Sequence, residues 1–355
     1  MKCNRHIFKV IIMRKTSRNG KGIEKSSILH RDSSESYARV GEFIPYGELR
    51  DEIQLTEKVQ SVVSRGREEV RKVLRGEDKR AIMIIGPHTI HNAEAAKEYA
   101  NLLISLKEKV KNTFVVVMNA CIENPRFDGN GWKGYVYDSR LSGNNDLNTG
   151  LRLSRKLLLD ISELGLPLAT QFVDPIISGY ISDFIAWGSV STAGSYYTDA
   201  QIEMASAAPM PIGFENAANG EVIETIEAMS KATQSLTFSC FDLNGKIAEA
   251  KSLGNDDVHL ILRGGATESV EKGGLVKIAY LPNYDGKNIS LAKAVLRGKG
   301  LPERLIVDCG QAIAGLDHKK IPEVVASVIQ EMAQGNDSIK GVVIPSDLKE
   351  GRQFI

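Results

Sequence analysis

A histidine, two cysteines and three carboxylates stand at the ends of short apolar runs, where a strand can present a side chain to a reaction. His88 follows Gly86-Pro87 after the run AIMII, Cys121 and Glu123 follow FVVVMN, Glu215 ends PIGFE, and Asp308 and Cys309 follow RLIV. Imidazole and carboxyl groups serve general acid–base catalysis. A thiol serves nucleophilic attack when it ionises. His88 is therefore read as an acid or base, Cys121 or Cys309 as a nucleophile, and Glu123, Glu215 or Asp308 as a base, with Gln311 beside them. Asn119, Asn124, Arg126, Lys133 and Arg263 are the candidate substrate-binding residues. Cations are sparse among these strand ends.

The elements that must hold these residues alternate. Strands are predicted at 81–86, 114–119, 168–172, 189–193, 211–215, 258–263, 304–308 and 340–344, each a short apolar or β-branched run. Helices are predicted between them, at about 93–109, 149–164, 176–187, 199–207, 221–232, 290–299 and 322–334. Asn92 is placed to cap the first. Eight strands alternating with helices predict an α/β (β/α)8 barrel, whose usual size is about 250 residues and whose chemistry sits at the carboxyl ends of the strands. A doubly wound sheet is the alternative.

Three segments stand apart from this alternation. Residues 1–33 form a basic tail, with nine Lys or Arg against one Glu by Arg31, and are read as a disordered arm. Residues 34–80 form an extension with a one-sided helix over Thr56–Arg75, and 81–355 form the barrel. The stretch around Asn244-Gly245 alternates apolar and polar residues on both sides, which predicts an inserted β-hairpin. ATESVEKGGLVKIAYL, between Arg263 and Pro282, is read as an added loop that either remodels the pocket as a lid hinged at Gly273-Gly274 or lies on the surface. The chain ends soon after the eighth predicted strand, so the barrel's final helix is expected to be missing.

Composition narrows the partner. The 355 residues carry 45 basic and 44 acidic side chains, a net charge of +1, which gives no pull towards nucleic acid or an anionic membrane. No apolar run approaches the ~20 residues of a membrane span. Four scattered cysteines make neither a zinc site nor a disulfide scaffold and fit a reducing cytoplasm. A small molecule in the barrel mouth is the expected partner.

Several blocks together resemble the type I 3-deoxy-D-arabino-heptulosonate 7-phosphate (DAHP) synthases: GPHTIHNAEAAKEYA, NPRFDGNGWKGY, GLRLSRKLLLDISELGLPLATQFVD, WGSVST, PIGFENAANG, HLILRGG with PNY downstream, and IVDCGQA. They span about Leu55 to Gln353 in the family's order. The resemblance implies a (β/α)8 barrel in dimers or tetramers that condenses phosphoenolpyruvate with erythrose 4-phosphate. It also implies a divalent metal, held by Cys, His, Glu and Asp, that polarises the aldehyde. Arg and Lys side chains hold the phosphates.

Much of that apparatus is substituted here. The family's metal-binding Cys falls on His88, its His on Gln311 and its Glu on Pro345, and its Asp lies past the last residue. An amide is a poor ligand and a proline none, so no metal site is assigned and no cofactor is expected. Of the phosphate cations, one Arg falls on Asn119, one Lys on Asn124, one Arg has no counterpart in STAGSYYTDAQ, and one Lys falls on Glu215. Arg126, now followed by Phe127, remains with Lys133 and Arg263. Each charge-assisted bond to phosphate contributes roughly 1.5–3 kcal/mol, so losing four costs on the order of 6 kcal/mol or more. The expected function is a barrel repurposed as an enzyme on a less anionic substrate. The alternatives are a non-catalytic regulatory partner of an intact synthase, and an active synthase of aromatic biosynthesis.

Overall fold

A computed structural model describes residues 41–125, 131–192, 197–270 and 276–351. Eight parallel strands close into a barrel: β1 (Ala81–Gly86), β2 (Phe114–Asn119), β3 (Leu168–Gln171), β4 (Ile185–Val190), β5 (Ile212–Glu215), β8 (His259–Leu262), β11 (Leu305–Asp308) and β12 (Ile339–Pro345). Parallel strands joined by crossover helices are covered on both faces, which is why these runs are continuously apolar. β3, β5, β8 and β11 combine short length with burial at nearly every position.

Helices α3 (Ala93–Val110), α4 (Leu147–Glu163), α5 (Pro175–Ile181), α6 (Asp199–Ala207), α7 (Ile223–Ala232), α8 (Gly286–Gly298) and α9 (Ile321–Ala333) connect the strands. Several start where a side chain caps the first turn: Asn92 accepts from Ala95 N, Asp146 from Thr149 N, and Asp285 from Lys287 N and Asn288 N. Thr198 and Gln201 complete a reciprocal capping box on α6. Among the described residues no helix follows β12.

The N-terminal helix α2 (Glu57–Arg75) begins at Thr56, whose hydroxyl accepts from Val59 N, and buries Val59, Val62, Val63, Val70, Val73 and Leu74. Val70, Val73 and Leu74 pack with inward residues of the barrel, among them Ile82, Ile84, Val117, Ile261 and Ile306. Arg67 donates to the carbonyls of Ser182 and Ile185 just before and at the start of β4, and Arg71 and Arg75 grip Asp257 just before β8. All of these partners lie at strand beginnings, so α2 plugs the N-terminal end of the barrel.

Three expectations change. The helix predicted to reach Trp187 ends as α5 at Ile181, followed by a 3-10 turn, and β4 starts at Ile185, ahead of the predicted 189. Every residue of β4 is buried, so the strand shows no alternation and its apolar run blends into the helix before it. The added segment after Arg263 is a second hairpin, β9 (Gly265–Val270) with β10 (Val276–Leu281), whose second strand is exposed throughout. Its Gly273-Gly274 lies outside the described residues. Within the extension, ahead of the predicted helix, a short helix α1 (Tyr46–Glu52) forms where none is predicted. The hairpin around Asn244-Gly245 is present as β6 (Thr237–Phe241) and β7 (Ile247–Lys251).

Candidate functional site

The strand ends converge on a cavity of about 40 Å³ at the C-terminal mouth of the barrel. Of the candidates read from the sequence, His88, Asn119, Cys121, Glu215, Asp308 and Gln311 line it. Glu123, Asn124, Lys133 and Arg263 do not, and Arg126 lies outside the described residues.

The turn that carries His88 is fixed by its neighbour strand. Gly86 has φ +153°, and a Cβ there would come 2.7 Å from the carbonyl of Asn119, so the two strand ends approach as only glycine allows. The Asn119 amide then donates to the carbonyl of Pro87 at 2.8 Å. Asn119 thus ties down the turn as well as lining the cavity.

Glu215 and Arg263 form an ion pair at 2.7 Å, their side chains 6% and 16% exposed. The guanidinium is held on a second side, where its Nε donates to the carbonyl of Asn216 at 2.9 Å. Asn216 is itself fully engaged: its amide donates to Ala217 and Gly264, and its side-chain oxygen accepts from Arg263 N and from the Asn283 amide. Asn283 in turn accepts from Gly264 N. Buried amides satisfied on every side give a rigid mount. This mount presents Arg263 to Glu215. The Tyr197 hydroxyl donates to the Glu215 carbonyl at 2.6 Å, and burial pushes that phenol well above its ordinary range.

The thiols are poorly placed for nucleophilic work. Cys121 lines the cavity, yet burial pushes it up to about 11, and it donates to the carbonyls of Glu123 and Gln171. Cys309 is also raised, by burial and then by the charge of Asp308. Burial thus disfavours, for both thiols, the thiolate that the nucleophile reading needs.

Glu123 is buried and does not line the cavity. Its carboxyl is 2% exposed at residue level and pushed up to about 8, chiefly by burial, with the nearby Asp174 adding to the rise. Asp174 N donates to one of its oxygens and the Tyr137 hydroxyl approaches the other at 3.5 Å. Glu123 does not line the cavity, unlike the candidate bases Glu215 and Asp308. Lys133 rests 4.1 Å from the centre of the Tyr137 ring, and the Asn124 amide donates to the carbonyl of Trp132. Both contacts are made within the segments that follow β2, on either side of residues 126–130.

The donors at the mouth do not fit the four-ligand metal set. Pro345 offers no donor, and its ring packs so tightly over Gly310 that a Cβ there would collide with it. Gln311 brings only an amide, and Glu215 is already paired with Arg263. Among the described residues no three His, Cys, Asp or Glu side chains come together as a metal cluster.

The cavity wall also includes Trp187, Ser189, Gln171 and Ile261. The first two were missed with the start of β4. Gln171 ends β3 and was legible as a strand end. Asn216 and Asn283 carried only a weak signal, an amide directly after Glu215 and another in Pro-Asn-Tyr.

Comparison with known proteins agrees with the geometry. The pattern of the DAHP synthetase I family matches residues 52–355. The Phe-sensitive phospho-2-dehydro-3-deoxyheptonate aldolase of Escherichia coli K12 is 35% identical over 318 residues, covering 89% of this chain and 86% of that protein. The Trp-sensitive aldolase of the same strain is 36% identical over 320 residues, covering 90% and 87%. The structure of the phospho-2-dehydro-3-deoxyheptonate aldolase from Francisella tularensis SCHU S4 superposes with a TM-score of 0.82 at 32% identity, covering 89% of this chain and 88% of that one. A closed eight-stranded parallel barrel and a family match over most of its length together show that this chain belongs to the DAHP synthetase I family.

Proposed function

We propose that the barrel mouth of this family member binds a small molecule less anionic than two phosphorylated substrates, and that the chain does not perform the family's metal-assisted condensation. The observation that carries this reading is the Glu215–Arg263 pair: a guanidinium neutralised at 2.7 Å by its own chain has little left for a phosphate. Asn119 and Asn124, bonded to backbone carbonyls, add no charge. The test is direct. Purified protein is supplied with manganese, phosphoenolpyruvate and erythrose 4-phosphate; the reading expects no heptulosonate and no calorimetric signal for phosphoenolpyruvate at micromolar concentrations. Turnover, or micromolar binding, overturns it.

A second reading is that the chain is an active phospho-2-dehydro-3-deoxyheptonate aldolase. The names of relatives at 35–36% identity over about nine-tenths of the chain favour it. The same assay decides between the two. Under either reading the protein is proposed to work in the cytoplasm as a homo-oligomer, dimer or tetramer. Val276, Ile278 and Leu281, all more than 40% exposed on β10, support burial against another copy. Light scattering on the full chain tests that.

A further inference from the structure

Trp187 lies on β4 with its indole towards the barrel axis, where it lines the mouth cavity from below. Its Nε1–H donates to Nε2 of His259 at 3.0 Å, with the ring centroids 5.8 Å apart and the planes at 42°. His259, on β8, is completely buried, and its Nδ1 stands 3.1 Å from the carbonyl of Asp257. A carbonyl can only accept and an indole N–H can only donate. The two partners therefore fix the ring: Nδ1 carries the hydrogen and Nε2 offers its lone pair.

The surroundings keep it so. Protonating Nε2 would set an N–H against an N–H. Burial drives the imidazole down to about 4, the nearby Arg304 adds to the fall, and the Asp257 carboxylate opposes it. Space for the ring comes from Gly213 on β5, where a Cβ would stand 3.0 Å from His259 Nε2 and clash with Ile261. Asp257 is anchored by Arg71 and Arg75 of the plugging helix.

We propose that His259 is a positioning residue: as the neutral Nδ1–H tautomer it locks the Trp187 indole in place as the floor of the mouth cavity and so sets the depth available to a ligand. This rests on reading that cavity as the ligand site. The lock itself is measurable with no ligand present.

The experiment is NMR on the full chain with nitrogen-15 in histidine and tryptophan, the two indoles assigned with Trp132→Phe. At neutral pH the His259 Nε2 signal is expected in the unprotonated range and Nδ1 in the protonated range. Exchange of the Trp187 indole hydrogen with solvent is expected to accelerate about tenfold in His259→Phe, the equivalent of one ordinary hydrogen bond. In His259→Gln, whose amide oxygen can accept the same hydrogen, it should stay slow. A protonated Nε2 in the unaltered protein overturns the proposal, and this result needs no variant to fold. So does equal exchange in the unaltered protein and a folded His259→Phe. Failure of the ligand-site reading shows separately, in the calorimetric and turnover assays, which change neither the tautomer nor the exchange rate.

Discussion

Arg263 donates to Glu215 across 2.7 Å just past the end of β8, so a guanidinium near the barrel mouth is paired with a carboxylate of the same chain. Replacing Glu215 with Gln should release the guanidinium and raise affinity for inorganic phosphate about tenfold, the worth of one modest charge-assisted bond. Isothermal calorimetry of Glu215→Gln against the unaltered protein measures it; equal affinities would show that Arg263 is unavailable for another reason.

Removing the counter-ion altogether should also cost stability. Glu215→Ala leaves Arg263 largely buried and unpaired, a loss of roughly 3 kcal/mol. Urea unfolding of Glu215→Ala and of the double variant Glu215→Ala/Arg263→Ala separates the terms: the double variant should recover part of the loss.

Glu123 ties stability to pH. Its folded value, about 8, lies above the ordinary 4.5, so between these limits the folded chain holds a proton that the unfolded chain has released. For this group alone, stability is full below pH 4.5, falls as pH rises through 8, and is level above it, with a slope of at most about 1.4 kcal/mol per pH unit. Thermal unfolding of Glu123→Gln should lose that slope and gain most at alkaline pH. Parallel pH profiles for the two proteins would refute it.

The buried thiols should ignore alkylating reagents. Iodoacetamide at pH 7.5 is expected to modify Cys240, which is partly exposed, long before Cys121 or Cys309, and peptide mass spectrometry reads the order. Rapid labelling of native Cys121 would restore it as a nucleophile.

Leu74 is 1% exposed where α2 enters the barrel floor. Leu74→Ala should therefore cost about 2–5 kcal/mol, like other core truncations, despite lying outside the strands. A cost below 1 kcal/mol in chemical denaturation would mean that the plug is loosely seated.

Most of the architecture was legible because its strands are short apolar runs separated by capped helices, as at Asn92 and Asp146. β4 failed where burial on both faces erased the alternation that marks a strand, and Trp187 and Ser189 were lost from the site with it. The hairpin β9–β10 was legible in principle: Gly273-Gly274, read as a loop hinge, is also a two-residue hairpin signal. For the site, residue type located the strand-end groups but not their direction. Glu123 and Cys121 are two positions apart on one segment, yet only Cys121 reaches the cavity. The Glu215–Arg263 pair joins residues 48 apart in sequence, and only barrel closure brings them together.

The plugging helix leaves a mark on how the chain must assemble. Arg71 and Arg75 wait for Asp257, more than 180 residues downstream, and Arg67 waits for Ser182 and Ile185. During synthesis α2 emerges ahead of every barrel strand with its apolar stripe unclaimed, and its socket, which includes Ile306 on β11, exists only once seven of the eight barrel strands have followed. A helix made before the barrel is thus seated among the last, a long-range closure that slows folding.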